Sequence, residues 1–581
     1  MLRLRAEVSY SLPAISVGEI HRTKTSSRLY KPRGNTGGID VLMRRIAGIL
    51  LLLFTLIQSS VSAKPFGIRG IKGLWWEGIA NYERALPWLA EHNLNFLMLC
   101  YSSFRASAMD WRADYTPEEM EQIRNLAEKG RKLGVNICLS FNPGIWSKPP
   151  LVYSSEDDYL HAWNKVRSVH ALGVNWFALC LDDIGRELAP EDKARFGTLQ
   201  AAHVYFVNRL WRDMRSLSPR PKLIFCPSTY FTADAAAHLE YITAVGNGID
   251  PEVMMFWTGP QCCSSSISAE DARTFAKWIK RKPFVWDNYP VNDMYAWRPL
   301  LGPLKNRSAD LASAVCGYIA NPMKQWAIST IPLATTAMYL NDPEGYNPEK
   351  AMAEVVRSYL PSQQRAIQLL LSLYGSSFWG ESEFPPQPRP ANRDDAFKML
   401  PKYRALRTML SSDPALCEIW EDVKPTLEQD IALIERKCRN RRTESPLKAI
   451  GDDFEGGAGS IYGYIQYGRA VNYVYAKPTG RDTMSVEFYL EKVPSDRALL
   501  RLTARDGDTG RKSRVRISIN GETVFESIAP FPHTGFETKL FDVPASMLKV
   551  GVNTLTIANL EEEGALGMPP WFMVAEAELV P

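Results

Sequence analysis

The sequence predicts an α/β fold: a (β/α)8 TIM-type barrel, followed by a helical domain and a C-terminal all-β sandwich of jelly-roll type. Three observations lead to this prediction. Eight short apolar runs recur along the first part of the chain, over roughly the 250 residues that such a barrel needs. The pattern then becomes purely helical, and near the C-terminus apolar and polar residues alternate with the period of two that is typical of strands.

The predicted barrel occupies residues 64–343 and is built from repeated strand–helix units. The sequence Leu-Gly-Val-Asn occurs at residues 133–136 and again at 172–175, each time between a helical stretch and an apolar run. Its glycine stands where a helix C-cap takes a positive φ. Strands that are apolar on both faces and alternate with helices imply a parallel sheet. The predicted strands are Phe66–Gly73, Asn95–Cys100, Asn136–Phe141, Asn175–Cys180, Lys222–Pro227, Val253–Gly259, Pro283–Tyr289 and Gly317–Asn321.

A doubly wound open sheet is the competing architecture for this region. No glycine-rich phosphate loop follows the first strand, which argues against a dinucleotide-binding version of that fold. Residues 344–445 have a helical pattern, for example in Arg365–Tyr374 and Leu427–Cys438, and we expect them to form a helical domain.

The last predicted domain, residues 446–581, has the alternation of half-buried strands. Asn520-Gly521 is a hairpin-turn dipeptide between two such strands. Short alternating strands over this length indicate a β-sandwich that resembles carbohydrate-binding modules in its pattern. Trp571 and Phe572 are either a stacking platform for a sugar or core aromatics, and the sequence leaves both readings open.

Residues 1–63 are predicted to be an N-terminal extension and a signal peptide, with Met43 as the true start. Met43-Arg44-Arg45 precedes a short apolar run, and small residues at Val61 and Ala63 indicate cleavage after Ala63. We therefore expect a secreted or periplasmic protein with no stable membrane span after cleavage. The alternative is an anchor that stays attached, although the apolar run is short for a bilayer.

Composition narrows the possible partners and cofactors. The net charge is +4, and no basic stripe or arginine-rich segment predicts nucleic-acid binding. The nine cysteines have neither zinc spacing nor a dense disulfide pattern, so we predict no metal site; Cys417 with Cys438 is a possible disulfide pair. No organic cofactor is predicted.

Polar residues cluster where five of the predicted strands end, and in a barrel the C-terminal strand ends form the active site. Asp182 and Asp183 follow the fourth strand directly. Acids, amides, a phenol and indoles together suit a sugar, which offers hydroxyls to polar groups and apolar ring faces to indoles. The other candidates at strand ends are Tyr230, Trp257, Trp286, Asn288, Asp293 and Asn321.

These residues resemble glycoside hydrolase family 84, the β-N-acetylglucosaminidases that include the O-GlcNAc hydrolases. The resemblance covers residues 66–339, and its motifs follow in the family's order. They are Leu181-Asp182-Asp183-Ile184, Phe225-Cys226-Pro227-Ser228-Thr229-Tyr230, Trp257-Thr258-Gly259-Pro260, the run from Trp286 to Asp293, Leu301-Gly302-Pro303 and Asn321-Pro322.

The resemblance implies substrate-assisted, retaining hydrolysis of a glycan or glycoconjugate that carries N-acetylglucosamine. By motif match, Asp182 would orient the acetamido group of the substrate and Asp183 would be the general acid and then the base. Tyr230 would contact the acetamido group or the oxazoline, and Trp286 would wall the pocket. Asn288, Asp293 and Asn321 would bind the acetamido side or the sugar hydroxyls. Since neighbouring side chains of a strand point to opposite sides, the chain must bend at Asp182–Asp183.

Two departures from the family pattern bear on substrate and activity. The first strand ends in Gly70-Ile71-Lys72-Gly73, where the family has Gly-Phe-Tyr-Gly, and Tyr101-Ser102-Ser103 stands where the family places a sugar-binding lysine. Lys72 or Arg105 is a possible replacement. The departures favour the alternative function, a barrel that binds an amino sugar or glycan without turnover or with altered specificity.

Overall fold

The computed structural model describes residues 65–73, 79–293, 297–376, 390, 393–439, 446–458, 468–507, 512–564 and 570–581. The predicted signal peptide and N-terminal extension lie outside these residues. Eight parallel strands close into a barrel in sequence order, with β1 paired to both β2 and β8. This confirms the predicted barrel over the open sheet. The strands are β1 Arg69–Lys72, β2 Phe96–Leu99, β3 Asn136–Phe141, β4 Trp176–Cys180, β5 Lys222–Cys226, β6 Met254–Trp257, β7 Phe284–Pro290 and β8 Gly317–Asn321.

Ten helices accompany the barrel strands among the described residues. They are α1 Ala80–Glu91, α2 Pro117–Leu133, α3 Glu156–His170, α4 Pro190–Phe196, α5 Leu199–Met214, α6 Thr232–Ala237, α7 Leu239–Gly248, α8 Ala269–Ile279, α9 Leu311–Ala314 and α10 Trp326–Asn341. The sequence signals for α2 are confirmed. Thr116 and Glu119 form a reciprocal capping box at its start, and Gly134 ends it at a φ of 73°.

Two apolar layers fix the direction of each strand side chain. One set packs inside the barrel and includes Phe96, Cys138, Cys180, Phe256 and Ile319. Their sequence neighbours point outward and pack against the helices. Because side chains alternate along a strand, each barrel position is either interior or helix-facing, and only residues at or beyond the strand ends reach the barrel mouth.

The next four helices form the helical region: α11 Pro348–Ser358, α12 Pro361–Tyr374, α13 Arg393–Ser412 and α14 Cys417–Cys438. A buried ion pair joins α14 to the barrel, since Arg298 donates two hydrogen bonds of 2.9 and 2.7 Å to Asp430. The predicted Cys417–Cys438 disulfide is wrong. The two residues are the first and last of one 22-residue helix, about 30 Å apart at its rise of about 1.5 Å per residue, and both thiols are free. None of the helices in the described ranges is long and apolar enough to cross a membrane.

The C-terminal strands are β9 Lys448–Ile450, β10 Glu455–Gly456, β11 Asn472–Tyr475, β12 Thr483–Leu490, β13 Arg497–Asp506, β14 Arg514–Ile519, β15 Glu522–Ile528, β16 Glu537–Pro544, β17 Gly551–Asn559 and β18 Trp571–Val580. They form two antiparallel sheets, in the orders β10-β12-β17-β14-β15 and β11-β18-β13-β16, with β9 also paired to β18. Asn520 and Gly521 make the predicted hairpin turn with φ values of 51° and 88°. Trp571 and Phe572 do not share a platform, because Phe572 is buried in the sandwich core.

Candidate active site

A cavity of about 250 Å³ opens at the C-terminal ends of the barrel strands. It lies where an active site is expected in this fold. Its size is just below the roughly 300–1,000 Å³ of typical ligand pockets, which suits one sugar ring better than a long chain. The lining residues are Lys72, Cys100, Tyr101, Ser102, Ile145, Trp146, Asp182, Asp183, Cys226, Tyr230, Thr258, Cys262, Cys263, Trp286, Asn288, Val291, Asp293 and Asn321.

The predicted bend after β4 is present and brings both acids to this cavity. Asp183 has a φ of 54°, in the left-handed region that non-glycine residues rarely adopt. The turn lets two sequence neighbours line one hollow, which an extended strand would prevent. They differ in depth, because Asp182 is only 5% exposed whereas Asp183 lies at the open mouth.

The carboxylate of Asp182 is held by two neutral donors. The hydroxyl of Tyr101 donates to Oδ2 over 3.1 Å, and Nδ2 of Asn142 lies 3.3 Å from Oδ1. Burial and, to a lesser extent, the charge of Asp183 raise the pKa of Asp182 from 3.8 to about 6, although the ammonium of Lys72 acts in the opposite direction. The deeper acid is therefore poised between its two protonation states near neutral pH.

Asp183 is paired with Tyr230 across the mouth. The Tyr230 hydroxyl donates to Oδ1 of Asp183 over 3.0 Å and lies 3.6 Å from the sulfur of Cys262. Burial is the main cause that raises the pKa of Tyr230, so its phenol stays a protonated donor. A carboxyl group at the entrance, oriented by a phenol, is placed to exchange a proton with a bound molecule.

Trp286, Asn288 and Asn321 form a connected wall on the β7–β8 side. Oδ1 of Asn288 accepts hydrogen bonds from Nε1 of Trp286 at 3.0 Å and from Nδ2 of Asn321 at 2.9 Å. Nδ2 of Asn288 donates to the carbonyl oxygen of Cys262 over 2.8 Å. These hydrogen bonds fix the orientation of the Trp286 indole. Oδ1 of Asn321 is buried and accepts no hydrogen bond from any of the described residues. Asp293 lines the cavity at its exposed rim.

The prediction that Trp257 contributes to the pocket is wrong. Its side chain points outward from β6, stacks on Phe275 of α8 and donates to Thr232 over 3.0 Å. The preceding Phe256 faces the barrel interior, so Trp257 must face the helices. The next residue, Thr258, is the one that lines the cavity.

Sequence reasoning missed the roles of residues at the ends of the second and third strands. Tyr101 follows β2, Asn142 follows β3, and both hold Asp182. Of the two replacement cations considered, Lys72 lines the cavity, whereas Arg105 is exposed and pairs with Asp110. The rule that finds Asp182, that residues just beyond a strand face the mouth, identifies Tyr101 and Asn142 equally well.

The lining has the chemistry of a carbohydrate site. It combines carboxylates, amides and a phenol with an indole face, and thus offers donors, acceptors and an apolar surface to one ring. Within the described ranges, no group of three or more histidine, cysteine or acidic residues is arranged to hold a metal ion.

Comparisons with known proteins agree with this geometry. A family model described as beta-N-acetylglucosaminidase matches residues 73–372, which is just over half of the chain. The chain is 28% identical over 271 residues to Protein O-GlcNAcase of Rattus norvegicus and equally to that of Mus musculus. These matches cover 46% of this chain but only 28% of each relative, so the chain spans little more than a quarter of their length.

Solved structures of similar fold include an O-GlcNAc hydrolase mutant of Thermobaculum terrenum. It is 25% identical, with a TM-score of 0.55, and the match covers 64% of this chain and 82% of that one. The structure of CpGH84B is 19% identical with a TM-score of 0.54, covers 64% and 68% of the two chains, and supports the fold alone.

Proposed function

The chain belongs to the β-N-acetylglucosaminidase family, and from this premise we propose that it removes a terminal β-linked N-acetylglucosamine from a glycan or glycoconjugate by retaining, substrate-assisted hydrolysis. The observation that carries the proposal is that Asp182 and Asp183 open into one small cavity beside the Trp286 indole. Room for about one ring favours an enzyme that acts at a chain end.

In the first step the acetamido oxygen of the substrate attacks the anomeric carbon while the bond to the leaving oxygen breaks. Asp183 gives its proton to that oxygen, and the sugar becomes an oxazoline. Asp182 accepts a hydrogen bond from the acetamido N–H and stabilises the positive charge that develops on that group, so the oxazoline is formed with its nitrogen still protonated. In the second step Asp183 takes a proton from water, which opens the oxazoline and restores the original anomeric configuration.

The different depths of the two acids support this division of roles. Asp182 is buried, forms no direct ion pair with any residue that the structure describes, and is held by Tyr101 and Asn142, as suits a group that must fix a buried substituent. Asp183 lies at the mouth with Tyr230, where a leaving group faces solvent. One acid thus acts on the retained sugar and the other on the departing group.

Asp183→Asn tests the proposal with two aryl N-acetylglucosaminides that differ in the acidity of the phenol released. A missing general acid lowers kcat by about 10²–10⁴ for the poor leaving group, and much less for the good one, which needs no proton. Asp182→Asn is the matched comparison, since an orienting acid affects both substrates alike. Equal losses for both substrates in Asp183→Asn would contradict the assignment of Asp183.

The second candidate function is a barrel that binds an amino sugar without hydrolysing it, and the observation that favours it is Ser102 at the expected lysine position. Calorimetric binding of a thiazoline analogue of N-acetylglucosamine by a protein that turns over neither aryl substrate would select this candidate. Turnover that is lost in Asp183→Asn would reject it.

We also propose that the protein is exported, on the basis of the basic residues and the short apolar run within residues 43–63. Expression from Met43 with a C-terminal tag should give an extracytoplasmic product that begins at Lys64, as determined by N-terminal sequencing. A cytoplasmic product that retains the run would contradict export.

A further inference from the structure

Lys72, the last residue of β1, places a buried cation in the cavity. The residue is 3% exposed and lines the cavity, and its Nζ lies 4.2 Å from the centre of the Trp286 ring and 5.6 Å from that of Tyr101. Neither a hydrogen bond nor an ion pair to any residue engages this ammonium in the described part of the chain. Two aromatic faces flank the ammonium, and the carboxyl group of Asp182 is near enough for its charge to act on that acid.

Lys165 shows what a buried lysine does in this protein when it is structural. It is also 3% exposed and also faces an aromatic ring, that of Tyr115 at 4.4 Å, but its Nζ donates to the carbonyl oxygen of Ala113 over 2.8 Å. Burying an ammonium group without a hydrogen-bond acceptor is energetically costly. The three N–H donors of Lys72 are therefore available to a ligand that enters the cavity.

Electrostatics decide which ligand atom can meet this ammonium. The charged side chains that line the cavity are one lysine and three aspartates, Asp182, Asp183 and Asp293. An acidic lining repels a sulfate or a carboxylate but accepts a neutral oxygen. A hydroxyl of an uncharged sugar ring is therefore the acceptor that fits.

We propose that Lys72 is a substrate-binding residue whose ammonium donates a hydrogen bond to a ring hydroxyl of an uncharged amino sugar. Its charge has a second role, because it favours the ionised form of Asp182. The inference rests on the proposed function and deepens it. It places the sugar-binding cation of this chain on the first strand, whereas the second strand ends in Tyr101 and Ser102, and thereby restricts the substrates to unsulfated, carboxylate-free N-acetylglucosamine ends.

The second role of Lys72 gives a readout that a purely structural lysine lacks. The titratable groups around Asp182 are Lys72 on β1, Tyr101 after β2, Cys180 and Asp183 on and after β4, and Cys226 and Tyr230 on and after β5. Only Lys72 among them is a cation. Its removal must therefore raise the pKa of Asp182 and shift the acid limb of kcat/KM to higher pH.

The experiment compares Lys72→Met, Lys72→Arg and the control Lys165→Met with the wild type. Lys72→Met should lower kcat/KM for an aryl N-acetylglucosaminide by about 10- to 100-fold, the range for a hydrogen bond from a charged donor, and move the acid limb upward. Lys72→Arg should keep that limb near its wild-type position because it keeps the charge. Lys165→Met should lower thermal stability without moving the pH profile.

A panel of 3-, 4- and 6-deoxy substrates then identifies the hydroxyl. For one of them, Lys72→Met should cause little further loss, because the acceptor is already absent. Equal losses on the parent and all three analogues, with an unshifted acid limb, would overturn the inference. So would a wild-type preference for a 6-sulfated sugar that Lys72→Met abolishes.

The two proposals fail in distinguishable ways. If the wild type hydrolyses no N-acetylglucosaminide, the proposed function fails, and calorimetric binding of the thiazoline analogue still tests Lys72. Binding that Lys72→Met weakens at least tenfold would support the inference without turnover. Binding that it leaves unchanged would overturn the inference alone.

Discussion

Asp182 in the barrel mouth and Asp430 in the helical region are both buried aspartates, yet their surroundings differ. Asp430 receives two hydrogen bonds from Arg298 and a third, of 2.7 Å, from Tyr374. Among the described side chains, only the neutral groups of Tyr101 and Asn142 donate hydrogen bonds to the carboxylate of Asp182. A guanidinium bonds directly to one carboxylate, whereas the other lies beside a second acid and interacts with the Lys72 ammonium without a direct ion pair among the described residues.

The difference separates structural from functional burial. In a buried pair such as Arg298–Asp430 the two charges neutralise each other and hold the helical region on the barrel. A buried acid without a direct countercharge lowers stability, and its perturbed pKa marks a site that completes its interactions with a bound molecule. The same contrast sets the order of the effects that substitutions should have.

The largest effect on stability is expected at the neutralised pair. Arg298→Met leaves Asp430 buried and charged with only Tyr374 as partner, which should lower the free energy of unfolding by about 3–5 kcal/mol in chemical denaturation. The double variant Arg298→Met/Asp430→Leu removes the stranded charge and should recover most of this loss. A single-variant loss below about 1 kcal/mol would show that the pair is not a structural anchor.

A smaller effect of opposite sign is expected at the unneutralised acid. The native pKa of Asp182 is about 6 and its ordinary value 3.8, so the folded protein binds the extra proton in this window. Stability must therefore fall as pH rises from about 4 to about 6, and Asp182→Asn should raise it at pH 7 by up to about 3 kcal/mol.

The same Asp182→Asn variant should lose turnover, since the amide cannot stabilise the developing charge. Denaturant melts between pH 4 and pH 7, compared with those of the wild type, measure the stability part. A variant that is less stable than the wild type at pH 7 and keeps the same pH slope would contradict the unneutralised state of Asp182.

The fold was predictable because its signals are local. All eight barrel strands lie within the predicted runs to within a residue, and Asn136–Phe141 and Gly317–Asn321 match at both ends. The bounds of long helices with an internal proline were harder to predict. Only the second half of α14 was predicted, because Pro425 in its interior resembles a helix stop.

The site was predictable in part, because strand ends can be located from sequence but side-chain direction and loop contacts cannot. Asp182, Asp183 and Tyr230 were found from position and motif and do line the cavity. Trp257 was misplaced because it belongs to the strand and not to the loop beyond it. Asn142 reaches Asp182 because β3 and β4 pair in parallel and end side by side, a contact between neighbouring strand ends that the sequence pattern does not specify atom by atom.

A moderate effect is expected from Tyr101→Phe, which removes one neutral donor from Asp182 and leaves the ring in place. Loss of this hydrogen bond should raise the activation barrier by about 0.5–1.5 kcal/mol, which corresponds to a fall in kcat/KM of up to roughly tenfold. Since the bond favours the ionised form, the acid limb should also shift to higher pH, as a pH–rate profile would reveal. An unchanged profile would mean that the hydroxyl does not act on Asp182.

The smallest effect is expected from Arg105→Met. This variant tests whether Arg105, and not Lys72, replaces the sugar-binding lysine that the family resemblance implies. The side chain of Arg105 is 72% exposed, and its partner Asp110 also lies at the surface, with 2.8 Å between Nη2 of Arg105 and Oδ2 of Asp110. An exposed ion pair of this kind contributes about 0–1 kcal/mol and is screened by salt. Stability and kcat/KM should therefore stay close to wild type, in contrast to Lys72→Met. A loss of activity in Arg105→Met comparable to that in Lys72→Met would mean that the arginine moves into the cavity when substrate binds. The sugar-binding cation would then come from the loop after β2 and not from the end of β1.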